Sequence, residues 1–271
     1  MTTDLKTTQQ VKLYLVFILL LLVATPVLSA SPYRVYSQQS LIALSTGASL
    51  GVIGRYAERN RAEPGINEIN GLERSNIPAF DRFMMGGWDT QSQKLSDVLL
   101  YGSPLAVAPH LFMRKKQALT IATMYMETMA LSIGGTYFSK GNFVRYRPYT
   151  YSVDAPLDEK TKLDATRSFF SGHAAVATSS YIFSAKVFSD YNPDSRYRSL
   201  VWAGAVSASV ATAALRVKGG MHFVSDVSVG LLWGGLVGYF IPEFHKISTE
   251  TFSISPVVTG DYSGLFINYI Y

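Results

Sequence analysis

Residues 172–189 read GHAAVATSSYIFSAKVFS, and this stretch decides the fold. It is too long for a strand, and Lys186 is its one formally charged residue. A run so rich in alanine and serine reads as a helix. The segments 95–112, 117–138, 198–216 and 222–241 share its length and its wealth of Ala, Leu, Ser and Gly, so each predicts another helix. Residues 35–54, uncharged and punctuated by glycine, predict a further, buried one. Together they predict an all-α helical bundle.

Outward from the helices, residues 55–94 are polar and rich in turn formers, opening with Arg55, Glu58, Arg59, Arg61, Glu63, Pro64 and Gly65. They read as a surface segment lying across the core, with Ile77, Pro78, Phe80, Phe83 and Trp88 as anchors. The loop 139–170 is long for a compact domain, which marks it as functional or disordered. In the tail, Phe252 and Ile254 alternate with serines, Thr259-Gly260-Asp261 can turn, and Leu265, Ile267, Tyr269 and Tyr271 alternate again. That pattern predicts a short C-terminal β-hairpin. At the other end, Lys6 and Lys12 precede the apolar run Leu13–Ala24, followed by small residues up to Ala30. This is the pattern of a secretory signal peptide, or of an uncleaved membrane anchor. The chain thus divides into 1–29, signal peptide or anchor; 30–94, N-terminal helix and surface segment; 95–247, catalytic helical core; and 248–271, tail.

Composition excludes several classes of function. With 48% hydrophobic and 16% charged residues, the chain is not disordered. It has no cysteine, which removes disulfides, thiolate nucleophiles, cysteine zinc sites and iron–sulfur clusters. Four histidines, His110, His173, His222 and His245, must carry any imidazole chemistry. The formal net charge of +5 suits anionic substrates or lipid surfaces. No arginine-rich tract or aromatic–basic repeat points to nucleic acid.

Three clusters gather charge at the edges of apolar helices. Lys140 sits just past the helix expected to end near Phe138, and Arg147-Pro148 follows it. Ser171-Gly172-His173 opens the next helix: Ser171 can cap it, Gly172 admits close approach of a ligand, and a helix start is an anion site. Arg216, His222 and Asp226 form the third, with Gly219 and Gly220 allowing a tight turn between arginine and histidine. His222 and Asp226 are four apart, so at the start of a helix they share a face. An aspartate there can accept the imidazole N–H and leave the other nitrogen free to attack. Three cations, an anion-binding helix start, two histidines and a carboxylate suit phosphoryl transfer through a phosphohistidine. The cations would neutralise the equatorial oxygens while one histidine attacks and the other protonates the leaving oxygen. The dense carboxylates of a two-metal phosphatase are missing, so the set needs no metal.

Lys140-x6-Arg147-Pro148, Ser171-Gly172-His173 and Arg216-x5-His222-x3-Asp226 resemble the three-part signature of the type 2 phosphatidic acid phosphatase and vanadium haloperoxidase superfamily. The resemblance runs from Lys140 to Asp226. It implies that His222 is the nucleophile, Asp226 orients it, and His173 is the general acid. It also implies that Lys140, Arg147 and Arg216 hold the phosphate, helped by Ser171 and the Gly172 amide. Phe170 stands where the family usually has proline, and Leu215 where it usually has serine. The expected activity is metal-independent hydrolysis of phosphate mono- or diphosphate esters, of lipids or small molecules. The alternatives are a vanadium-dependent haloperoxidase with His222 as vanadate ligand, and a non-catalytic envelope scaffold.

The family includes both membrane-spanning and soluble exported enzymes. The uncharged runs are marginal for spanning helices, and Glu127 interrupts the longest segment. Arg114, Lys115 and Lys116 lie in one link and Lys186, Arg196 and Arg198 around another, both on the side opposite the motifs. By the positive-inside rule this predicts a membrane enzyme of a bacterial-type cell envelope with its site facing the periplasm. A soluble periplasmic enzyme is the alternative. Cleavage of the signal followed by a spanning 35–54 segment would turn the site inward, so either that segment packs without spanning or the whole chain is soluble.

Overall fold

The computed structural model describes residues 31–83, 85, 87–247, 252–258 and 263–269. The expected signal peptide or anchor, the turn at 259–261 and Tyr271 lie outside these. Among the described residues, the long helices are α1 (Ser37–Glu58), α2 (Thr90–Gly102), α3 (Ala118–Asn142), α4 (Gly172–Tyr191), α5 (Arg198–Lys218) and α6 (Val224–Phe244). The strands β1 (Phe252–Val258) and β2 (Ser263–Tyr269) pair antiparallel, Ile254 opposite Ile267. The fold is all-α with this hairpin appended.

The stretch that opened the sequence is the centre of the bundle. Most of α4 is buried, from Ala174 through Ser189, and α3, α5 and α6 pack around it. A helix enclosed this way needs small side chains on several faces, which is why alanine and serine dominate it. Three of its serine hydroxyls are satisfied inside the bundle: Ser179 and Ser180 donate to the Val176 carbonyl, and Ser184 to that of Ala106. Glycine brings the neighbours into contact. A Cβ on Gly234 of α6 would lie 2.2 Å from the Ala175 carbonyl oxygen, and one on Gly134 of α3 only 2.1 Å from that of Gly47 in α1. Small-residue seams of this kind let helix backbones touch.

Four expectations are corrected. The 95–112 segment is two helices, α2 and a short one at Ala108–Met113, because Pro104 interrupts the backbone ladder between them. Helix α1 is not buried: one face lies on α3, but Leu41, Val52, Ile53 and Tyr56 point outward. Of the anchors in 55–94, Ile77 is buried and Trp88 packs on Tyr149, whereas Phe80 and Phe83 are exposed. Finally, α3 continues to Asn142, so Lys140 lies in its last turn. Residue 95 falls inside α2, so the N-terminal segment runs into the bundle without a break.

Contacts give the direction of each helix. Arg61, just beyond α1, donates to the carbonyls of Lys140 and Gly141 at the end of α3. Gln93, near the start of α2, donates to the Gly219 carbonyl past the end of α5. The ends of α1, α3 and α5 therefore meet the starts of α2, α4 and α6. At the far end of the bundle, Arg34 N–H donates to the His245 carbonyl and Tyr33 OH to Asp190. Glu127, costly if it faced lipid, turns inward and pairs with buried His245 at 2.8 Å.

The seam between α1 and α3 yields a stability test. Gly134→Ala drives a methyl into the Gly47 carbonyl and should destabilise by about 1–3 kcal/mol, as overpacking does. Gly235→Ala, whose Cβ meets nothing within 4 Å, should leave the unfolding temperature unchanged or raise it. Thermal unfolding of the detergent-solubilised variants reads both; equal effects would contradict the close seam.

Candidate active site

The site is built where these helix ends converge. After α5, Gly220 adopts φ 71°, the left-handed region open to glycine, and the chain reverses. The amides of Met221 and His222 then donate back to the Arg216 carbonyl, at 3.0 and 3.3 Å. This turn brings Arg216 and His222, both buried, to one place. His222 lies two residues before α6, not on it. Asp226, in the first turn, accepts the Phe223 amide at 2.9 Å and so caps its own helix.

The expected contact between Asp226 and the imidazole is not made. The Asp226 Oδ2 atom is 3.9 Å from His222 Nδ1, beyond hydrogen-bonding reach. His222 Nδ1 instead donates to the Ser168 carbonyl at 2.7 Å, while the Ser168 hydroxyl donates to Asp226 at 2.6 Å. Asp226 thus holds the residue that holds the histidine. A carbonyl can only accept, so the proton is on Nδ1 and the lone pair on Nε2. That Nε2 lies 3.1 Å from Nη1 of Arg147.

Arg147 is clamped. Its Nε donates to the Asp164 carbonyl at 2.8 Å, Nη2 to the Asp164 carboxylate at 3.0 Å, and Nη1 to the Met221 carbonyl at 2.8 Å. Burial alone would raise the Asp164 carboxyl, but Arg147 and then Lys140 overrule it and hold it well below the usual carboxylate range. Lys140 lies within the field of Arg147, Asp164, Arg167 and Arg216. Burial first, then the charges of Arg147, Arg216 and Lys140, push His222 well below the ordinary histidine value, against the Ser168 hydrogen bond that favours the cation. The imidazole is neutral at physiological pH.

Around this centre stand the other residues read from the sequence. Ser171 is the N-cap of α4, its hydroxyl 3.4 Å from the Ala174 amide. His173 Nε2 is 2.8 Å from Asp97 of α2, and it feels the charges of Arg216, Lys140 and Arg147. Arg216 is 3.2 Å from the Ser96 hydroxyl and 3.7 Å from Asp97. Gly172 also has a packing reason: a Cβ there would lie 2.7 Å from a Thr136 methyl. Phe170, in place of the usual proline, donates its amide to the Ser139 hydroxyl at 3.0 Å, a bond proline cannot make. The structure therefore brings all eight expected residues to one end of the bundle. Ser168, Asp164 and Asp97 escaped the sequence reading because each acts across the fold at no regular spacing.

A cleft of about 480 Å³ reaches the site at Lys140 and Gly172. Leu100, Tyr101, Pro104, Ile133, Tyr137 and Val176 form its apolar length, and Lys140, Arg167 and Gly172 also line it. Among the described residues, no group of three or more His, Asp and Glu side chains could hold a metal ion.

The depressed His222 predicts its titration. A group whose pKa is lowered in the fold stays neutral through the range where a free imidazole, at about 6.5, takes up its proton. The His222 ring resonances, identified by their loss in His222→Ala, should hold the neutral Nδ1–H position as the pH falls through the range in which a free imidazole titrates. A midpoint near 6.5 would contradict the buried, cation-flanked setting.

The sequence profile of the PAP2 superfamily matches residues 121–250. No curated protein matches the chain. A solved structure, the first transmembrane PAP2-type phosphatidylglycerolphosphate phosphatase from Bacillus subtilis, is 20% identical and aligns over 86% of this chain and 94% of its own, with a TM-score of 0.42. At that score the likeness bears on neither mechanism nor substrate. The profile match contains Lys140, Arg147, the Ser171–His173 cap and the Arg216–Asp226 turn, so residues 121–250 are similar to the PAP2 superfamily at the stretch that carries the site.

Proposed function

We propose that the protein is a metal-independent phosphatase that hydrolyses phosphate mono- or diphosphate esters of lipids through a phosphohistidine. The observation that carries this is the orientation of His222, whose Nε2 lone pair is directed by the Ser168 carbonyl toward the Arg147 guanidinium. A phosphoryl group seated among Lys140, Arg147 and Arg216, with the start of α4 beneath it, would sit within reach of that nitrogen. Nε2 attacks phosphorus and the ester P–O bond breaks. The departing oxygen takes a proton from His173, beside which the Asp97 carboxylate stands to balance an imidazolium. Water then gives its proton to His173 and attacks the phosphohistidine, releasing phosphate and restoring His222.

The apolar cleft supports a lipid ester, since a hydrocarbon chain could lie along it with its phosphate at the cationic end. The outer surface supports a membrane setting. Helices α5 and α6 are long and apolar enough to cross a bilayer. Leu200, Val206 and Val210 on α5, and Leu232, Leu236 and Phe240 on α6, face outward, as do Leu41, Val52 and Ile53 on α1 and Leu119, Met126 and Ile133 on α3. Apolar faces of this extent, on several neighbouring helices, suit hydrocarbon better than water. Arg114, Lys115 and Lys116, with Arg196 and Arg198, lie at the end of the bundle away from the site, and the positive-inside rule then turns the site outward. Because α1 runs alongside α3, it would cross with the rest, which places residue 31 on the inner side. An outward site and a cleaved export signal therefore exclude each other if every long helix crosses, and we favour the outward site.

His222→Ala should abolish turnover and leave no trapped phosphoenzyme at that position. His173→Ala should slow an alkyl phosphate more than p-nitrophenyl phosphate, whose leaving group needs less protonation; equal losses would remove its acid role. Orientation can be read directly, because the chain has no cysteine of its own. In intact cells a membrane-impermeant maleimide should label Val153→Cys, which is 95% exposed in the site loop, and should reach Lys116→Cys only after lysis. The opposite pattern would place the site inside.

A further inference from the structure

The segment between α1 and α2 also sends a side chain into the site's support. Asp81, in the short helix Ala79–Phe83, is completely buried although it is a carboxylate. Its Oδ1 accepts the Ser225 amide at 2.9 Å, and its Oδ2 accepts the Ser225 hydroxyl at 2.7 Å and Arg145 Nη2 at 2.6 Å. Arg145 turns its other nitrogen, Nη1, to Asp226 and to the Ser225 hydroxyl, and its guanidinium lies 4.4 Å over the Phe223 ring. Two buried carboxylates thus share one guanidinium at the start of α6, where the helix dipole favours negative charge.

From this geometry we infer that Asp81 is a positioning residue for the nucleophile. This rests on the phosphohistidine reading above. The chain of contacts is short: Asp81 holds Arg145 and Ser225, Arg145 holds Asp226, Asp226 holds the Phe223 amide and the Ser168 hydroxyl, and the Ser168 carbonyl holds His222. The phosphate-holding cations are braced separately, Arg147 by Asp164 and Arg216 near Ser96 and Asp97. Asp81 therefore acts on the aim of His222 far more than on the grip on the anion. In Asp81→Asn the amide nitrogen faces Arg145 or the Ser225 amide, donor against donor, so the support loosens while the pocket remains.

Misplacing a reacting atom by about 1 Å can cost on the order of 100-fold in rate. The full-length, detergent-solubilised Asp81→Asn enzyme should lose roughly 10- to 100-fold in kcat while KM and the inhibition constant of inorganic phosphate stay within about twofold of wild type. The loss should be of similar size for p-nitrophenyl phosphate and an alkyl phosphate, unlike that of His173→Ala. Ser225→Ala, which removes only the hydroxyl shared by Asp81 and Arg145, should show a smaller loss of the same kind and serves if Asp81→Asn does not fold. A wild-type kcat in either folded variant, or a kcat loss matched by weakened phosphate inhibition, would overturn the inference. If His222→Ala itself remains active, the phosphohistidine reading fails instead.

Discussion

Like charges gathered in a buried pocket repel one another, and the structure is organised around keeping three of them together. Lys140, Arg147 and Arg216 reach one place from different helices and a loop, beside a neutral imidazole. Such a cluster holds only if negative charge stands nearby without filling the anion's place. Asp164 does this for Arg147 with both its carbonyl and its carboxylate. Asp97 stands between Arg216 and His173. Asp81 and Asp226 sit one layer behind, joined through Arg145, where they steady the turn that carries His222.

That arrangement depends on how closely the helices approach. Long side chains along the seams would spread the bundle and move the helix ends apart by several ångströms. Glycine at positions 134 and 234, and the small residues of α4, keep the backbones in contact, so that Lys140, His173 and Arg216 converge. The same closeness leaves large apolar side chains on the outside, which is tolerable in water only in small patches and favourable in hydrocarbon. A site built from charge and a perimeter built from hydrocarbon are complementary parts of one solution: ionic chemistry at the rim of an apolar bundle.

Much of this was legible in the chain. Helix existence followed from uninterrupted apolar length, and the three motifs named eight residues that the fold brings to one end. Less legible were interruptions and orientations. Pro104 broke a run whose composition otherwise read as one helix, and α1, uncharged and therefore expected inside, presents half its surface outward. The pairing of His222 with Asp226 was inferred from a four-residue spacing that assumes both lie on a helix. His222 precedes the helix, and a serine carbonyl from the preceding loop takes the position instead.

The amino-acid sequence by itself determined the helical class and the residue types available for phosphoryl chemistry, because these depend on local composition and on spacing along one chain. Only the tertiary structure decided which partner each charged group would meet. Ser168, Asp164, Asp97 and Asp81 carry no mark in the sequence that separates them from other serines and aspartates. A hydrogen bond requires two groups within about 3 Å, and for residues tens of positions apart that distance is set by the packing of whole helices.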